Sequence, residues 1–154
     1  MAAKKDNTGD AVNLGKLPDY LGYQTRQAQA AVWRDFPRLM KDVGITPGEF
    51  GLLTLINANQ GINQISLARV YKLDKSTLSY AINRLVDRDL IRRTREKEDR
   101  RHYALWLTDQ GQDTLQGATE KVEEQERAMD AALEPGEREL LLELLQKVAR
   151  AFDV

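Results

Sequence analysis

The stretch Leu73-Asp74-Lys75-Ser76-Thr77-Leu78-Ser79-Tyr80-Ala81-Ile82-Asn83-Arg84-Leu85-Val86 decides how the rest of the chain is read. Asp74 is a residue type that caps helices, and a helix from Lys75 to about Arg88 would align Leu78, Ala81, Ile82, Leu85 and Val86 on one buried stripe. The face left outside carries Lys75, Ser76, Thr77, Ser79, Tyr80, Asn83 and Arg84. Hydroxyl residues crowded into the first two turns are a poor choice for helix stability. Together with an amide, a phenol and two cations they suit hydrogen bonds to base edges in a major groove and ion pairs with phosphate. The first turn would also offer free N–H groups to phosphate. An ordinary solvated face is the alternative.

Working upstream, Asn63 can cap a short helix carrying Ile65, Leu67, Ala68 and Val70, and a tight turn at Lys72-Leu73 then gives a helix-turn-helix. Thr46-Pro47-Gly48-Glu49 reads as an N-cap, a first-turn proline and a capping-box acid, opening a helix with Phe50, Leu53, Leu55 and Ile56 that stops before Gly61. From Leu17 to about Val43 apolar residues recur at helical spacing, with a kink or break expected at Pro37 and a stop at Gly44. Downstream, Leu90–Arg95 and Arg101–Leu107 have strand character, and the charged segment Glu96–Arg100 between them forms a hairpin tip. Thr108-Asp109 starts a long helix to about Ala132, and Pro135 opens a last one. The expected order is four helices, a β-hairpin and two helices.

Charge is segregated along the chain. Residues 1–68 carry seven Lys/Arg and six Asp/Glu, residues 69–107 eleven and six, and residues 108–154 five and twelve. A net charge of −1 therefore hides a +5 middle beside a −7 end, the pattern of a local phosphate-facing surface. The absence of cysteine and the single histidine, His102, exclude disulfides, thiol sensing and the usual zinc sites. No nucleotide-binding loop or catalytic constellation stands out, so an enzyme is disfavoured and no cofactor is expected. The polar first residues, with no long apolar run elsewhere, give the expectation of a flexible tail over 1–16 on a cytoplasmic protein.

The segment Asp99-Arg100-Arg101-His102-Tyr103-Ala104-Leu105-Trp106-Leu107-Thr108-Asp109-Gln110-Gly111 resembles the wing-to-helix signature of the multiple-antibiotic-resistance regulator (MarR) family. That signature runs Asp-x-Arg, three residues, an aliphatic, one residue, Leu-Thr, two residues and Gly. Leu73–Leu78 and Arg84–Arg88 are similar to the family's recognition helix, and the likeness covers about residues 17–152. It implies a mainly α fold with a small β-wing: a winged helix-turn-helix over 46–107, flanked by dimerisation helices over 17–45 and 108–154. It also implies a homodimeric transcriptional regulator, usually a repressor. In that reading Asp99 orients Arg101 into the minor groove, while Ser76, Thr77, Ser79, Tyr80 and Asn83 face the major groove; Arg95, a cation of the same hairpin, is a further candidate for DNA contact. Asp89 stands where the family has glycine, and Asp tolerates the left-handed turn needed there. Trp106 replaces a smaller residue, and its role is open.

Helices at the two ends of the chain could not bury their apolar stripes on a winged helix alone. Leu17, Tyr20, Leu21, Leu140, Leu141, Leu144, Leu145, Val148 and Phe152 are the candidates for a two-fold interface, with an intramolecular bundle as the alternative. The family commonly responds to small aromatic ligands. Here Tyr23, Arg26, Gln27, Ala30, Trp33, Arg34 and Phe36 lie on the helix that would line such a pocket and would suit an aromatic acid or its acyl thioester. Core packing for Tyr23 and Trp33 is the alternative. A winged helix that binds protein instead of DNA is the competing function, and the basic middle favours DNA. Arg101→Ala is expected to weaken duplex binding without unfolding the dimer, read by DNA titration beside a thermal melt; unchanged affinity would count against the wing assignment.

Overall fold

A computed structural model describes residues 12–95 and 103–152. The chain divides into two units, Met1–Phe36 and Pro37–Val154. In the first, Leu17–Asp19 form a 3-10 turn around Pro18, and Tyr20 is extended. Helix α1, Leu21–Leu39, follows. The single helix expected from Leu17 to Val43 is thus shortened at both ends. Pro18 and the extended Tyr20 interrupt it at the start. At the other end the chain turns after Leu39, with Gly44 in a left-handed conformation (φ +70°) donating its N–H to the Met40 carbonyl at 2.7 Å. The break expected at Pro37 does not occur. Pro37 has no N–H to give to the Trp33 carbonyl, yet it lies in the final turn and the helix continues to Leu39.

The second unit is built on caps that the local sequence dictates. Helix α2, Pro47–Ala58, opens with the full capping box: Glu49 N–H donates to Thr46 Oγ1 (3.2 Å) and Thr46 N–H to Glu49 Oε2 (2.9 Å). Asn63 Oδ1 accepts from Ser66 N–H at 2.8 Å to start helix α3, Gln64–Tyr71. Lys72 takes a left-handed conformation (φ 51°) in the turn, and Asp74 caps helix α4, Lys75–Asp87. Strands β2 (Ile91–Arg95) and β3 (Tyr103–Leu107) pair antiparallel as a hairpin. A third strand, β1, is only Ile62–Asn63 and pairs with β3 on its other side, in the order β1-β3-β2. Helix α5, Asp109–Asp130, and helix α6, Glu137–Arg150, complete the chain. Six helices and a small antiparallel sheet make a winged helix, as the sequence predicted; the third strand was not foreseen.

The core gathers Leu52, Leu53 and Ile56 of α2, Leu67 of α3, Leu78, Ile82 and Leu85 of α4, Leu105 of β3 and Leu115 of α5, all buried. Each such side chain contributes on the order of 1.5–3 kcal/mol by leaving water. The α4 stripe is narrower than its periodicity suggested, because Ala81 and Val86 are only half-buried. Leu67 is the one fully buried residue of α3, with Ile65 and Val70 exposed.

Three elements converge on Leu90. Asp89 supplies the left-handed turn (φ 55°) expected of it, which swings the chain from α4 into β2. The Leu90 carbonyl accepts from Thr108 N–H at 3.2 Å, while Thr108 Oγ1 donates to the Asp89 carbonyl at 2.5 Å and accepts from Gly111 N–H at 2.9 Å. Gly111 is buried against the same carbonyl, and a Cβ there would sit 1.9 Å from the Leu90 oxygen. Because that oxygen is backbone, it cannot swing aside. Gly111→Ala is therefore expected to destabilise the domain by about 1–3 kcal/mol or more, seen as a lower thermal midpoint; an unshifted midpoint would show that α5 can slide.

Candidate nucleic-acid interface

Lys75, Ser76, Thr77, Tyr80, Asn83 and Arg84 stand on the exposed face of α4, and Ser79 is half-buried beside them. Their hydrogen-bonding capacity is not all free. The Asp74 carboxylate accepts from Ser76 N–H (3.0 Å), Ser76 Oγ (2.5 Å), Thr77 N–H (2.9 Å) and Thr77 Oγ1 (2.6 Å). The two hydroxyls, with the backbone donors, hold this carboxyl well below the usual carboxylate range. The expectation that the start of α4 offers free N–H groups to phosphate is corrected here. Two of those donors are spent on Asp74, and its negative charge occupies the position a phosphate would take.

Further along, Gln64 Nε2 of α3 donates to Ser79 Oγ at 2.7 Å. Asn83 Oδ1 accepts from the Arg93 guanidinium of β2, joining helix to wing. Arg84 Nη2 lies 3.2 Å from Oε1 of Glu49, and Arg88 Nη1 lies 3.7 Å from Oε2 of the same residue. Arg95 is exposed at the end of β2. Strand alternation places it on the same face as Arg93. Asp99 and Arg101 lie outside the described residues, as does the rest of the tip.

Arg92, on the other face of β2, is directly across from Trp106 and its guanidinium lies 5.6 Å from the centre of the indole. Trp106 Nε1 donates to Thr94 Oγ1 at 2.9 Å, and the ring edge lies over Gly61, where a Cβ would come within 2.9 Å of it. Trp106 is therefore a packing residue of the wing's outer face, where it covers the turn before β1. Sequence reasoning left Glu49 and Gln64 out of the site, and counted Arg93 among the arginines of the hairpin without a tie to α4. Glu49 was fully explained as a cap, and nothing local links the other two to α4.

In the first unit, the candidate effector residues form a coherent face only in part. At helical spacing Tyr23, Gln27, Ala30 and Arg34 share one stripe, flanked by Arg26 and Trp33. Gln27 Nε2 donates to the half-buried Tyr23 hydroxyl at 2.7 Å, and Arg26, Ala30, Trp33 and Arg34 are exposed. Phe36 points away from this stripe and is buried. Leu17, Tyr20 and Leu21 are exposed, and so are Leu140, Leu141, Leu144, Leu145, Val148 and Phe152 in the second unit, joined by Leu142. Arg138 ties α6 to α5 through Glu126, at 2.9 Å, and Asp130. Among the described residues no cluster of His, Asp and Glu could hold a metal ion.

The MarR family model matches residues 45–103. The chain is 34% identical over 137 residues to a putative transcriptional regulatory protein for the hcr operon of Thauera aromatica, covering 88% of this chain and 82% of that protein. It is similar to the transcriptional repressor CouR bound to a 23-mer DNA duplex, with a TM-score of 0.85 and 34% identity over 90% of this chain and 99% of CouR. The same repressor bound to p-coumaroyl-CoA gives a TM-score of 0.85 at 32% identity, covering 92% of this chain and 100% of that one.

Asp74 can be tested apart from any duplex. Asp74→Ala removes every acceptor of the cap and is expected to lower the thermal midpoint, while Asp74→Asn, itself a good cap, restores most of it. Since the folded carboxyl titrates below its unfolded value, its contribution is complete above the ordinary carboxylate range and fades only as pH falls towards the folded value. The drop in midpoint caused by Asp74→Ala should thus be the same, to within about a degree, anywhere between about pH 5 and 8. A gap that changes with pH across that window would contradict the cap.

Proposed function

The chain belongs to the MarR family of transcriptional regulators, and we propose that it is a homodimeric repressor that grips a pseudo-palindromic operator and releases it on binding an aromatic acid or its acyl thioester. The observation that carries the reading is the outward face of α4. Lys75, Tyr80 and Asn83 stand exposed on a helix braced from below by Gln64 and from the wing by Arg93. In this reading α4 enters the major groove and the wing, with Arg95 at its edge and the Asp99–Arg101 pair at its tip, follows the adjacent backbone into the minor groove.

Support for a dimer comes from α6. Its apolar residues remain 39–53% exposed in the single chain, and Phe152 beyond it is 81% exposed. A contiguous apolar stripe of that kind marks an interface more often than a free surface. Pairing two copies through residues 17–45 and 108–154 would set two winged domains, 46–107, about one DNA turn (~34–36 Å) apart. The site of action in this reading is the cytoplasm, with the DNA.

For the effector, the supporting facts are the CouR complex with p-coumaroyl-CoA and the Tyr23–Gln27–Arg34 stripe of α1. A phenol and an amide suit a polar aromatic head, and arginines at positions 26 and 34 suit a carboxylate or the phosphates of a thioester carrier.

Selection of bound duplexes from a random pool, repeated with aromatic acids and their coenzyme A thioesters, tests the whole reading. A recovered palindrome, a two-chain mass in light scattering, and loss of binding with one compound are expected. Affinity should fall steeply with salt, by about 0.9 log units per log unit of salt for each phosphate contacted. Failure to enrich any duplex would favour a protein-binding winged helix instead.

A further inference from the structure

Glu49 is the one charged side chain that is buried among the described residues, at 3% exposure. Burying a carboxylate is unfavourable unless its oxygens are partnered, and an apolar residue of similar volume is often the more stable choice. The capping box uses only part of it, since Thr46 N–H binds Oε2 while Oε1 accepts no hydrogen bond. What faces the carboxylate is α4. Arg84 approaches Oε1 at 3.2 Å and Arg88, one turn later, approaches Oε2 at 3.7 Å.

The geometry has a mechanical consequence. Leu78, Ile82 and Leu85 decide which face of α4 is buried, and within that limit a small rotation of the helix costs little apolar area. What freedom remains is limited by directional contacts on its flanks. Asn83 is held by Arg93 of β2 on one side, and Arg84, one residue on and about 100° around the helix, is held by Glu49 of α2. With Arg84 and Arg88 both drawn to one buried carboxylate, the range of angles open to α4 narrows, and that angle also decides where Lys75, Tyr80 and Asn83 point.

We infer that Glu49 is a positioning residue for DNA recognition: through Arg84 and Arg88 it fixes the rotation of α4, so these two arginines serve the protein's own carboxylate and not a phosphate. The inference rests on the DNA-binding reading above and revises one contact within it, since the sequence had placed Arg84 against the duplex.

E49Q keeps the capping acceptor, because Gln serves that position as well as Glu, and removes the charge. E49Q, R84Q and the double variant would each be titrated with the selected operator and with a random duplex of equal length across a salt series, after checking the melt and the two-chain mass. The expected result is an operator affinity lowered about tenfold or more in each single variant, a double variant no worse than the singles, and an unchanged salt slope. Random-duplex binding should stay as in the parent. A slope that falls by about one for each Arg84 removed means a phosphate contact and overturns the proposal. So does E49Q with full operator affinity. R84Q changes an exposed position, so its slope decides the matter even if E49Q fails to fold. Amide exchange along α4 in the free protein separates this idea from its premise. Faster exchange in both variants of a parent that binds no duplex would sink the DNA reading and leave the helix positioning standing; exchange unchanged in both would sink the positioning.

Discussion

The Leu90 carbonyl is the point on which the arrangement of the DNA-binding unit depends. It ends the turn out of α4, begins β2, receives the N–H of Thr108 at the end of β3, and lies against Gly111 in the first turn of α5. A helix, a hairpin and a second helix are thereby tied through backbone atoms, which cannot adjust as side chains can. Because β2 starts at a fixed place, Arg93 arrives beside Asn83 two residues later, and β3 stays in register with both of its neighbours. The wing's direction is thus set at its base, whatever the tip does.

With the scaffold fixed, internal hydrogen bonds determine what α4 has left to offer. Asp74 can only accept, so the hydroxyl hydrogens of Ser76 and Thr77 point inward and their oxygens keep lone pairs for the outside. Arg93 can only donate, so Asn83 keeps its two amide hydrogens. The Ser76–Thr77 pair is therefore biased to accept and Asn83 to donate. A sequence of short polar side chains looks indifferent to polarity, but their neighbours make them directional.

Much of this was legible because it is local. Thr46 with Glu49, Asn63, Asp74 and Thr108 each announce a helix within three residues, and all four cap as read. Asp89 was legible for the same reason, since a left-handed residue is a demand on one backbone position. What escaped was non-local. Strand β1 is two residues long, carries no alternation, and exists because β3 has a free edge more than forty residues away in sequence. Trp106 could be given a face but not a partner until Thr94 and Gly61 came beside it. Glu49 failed in an instructive way. The capping box explained the residue completely, so nothing in the pattern was left over from which its ion pairs with α4 could be suspected.

The segregation of charge acquires a meaning once the elements are in place. The basic middle of the chain falls on α3, α4 and the hairpin, and the acidic end on α5 and α6. If α6 pairs with a second copy, like charge accumulates around the joint, and apolar burial must outweigh that repulsion. Leu140, Leu141, Leu144, Leu145 and Val148 provide the area, and solvent screening over ~8 Å at physiological salt weakens what opposes it. The same acidity has a use. A polyanion meeting such a pair is repelled from the joint and attracted to the two basic faces, so electrostatics would orient the duplex before any base is read. Residues that touch no DNA would then help select the docking orientation, just as Glu49 would help select the orientation of the helix.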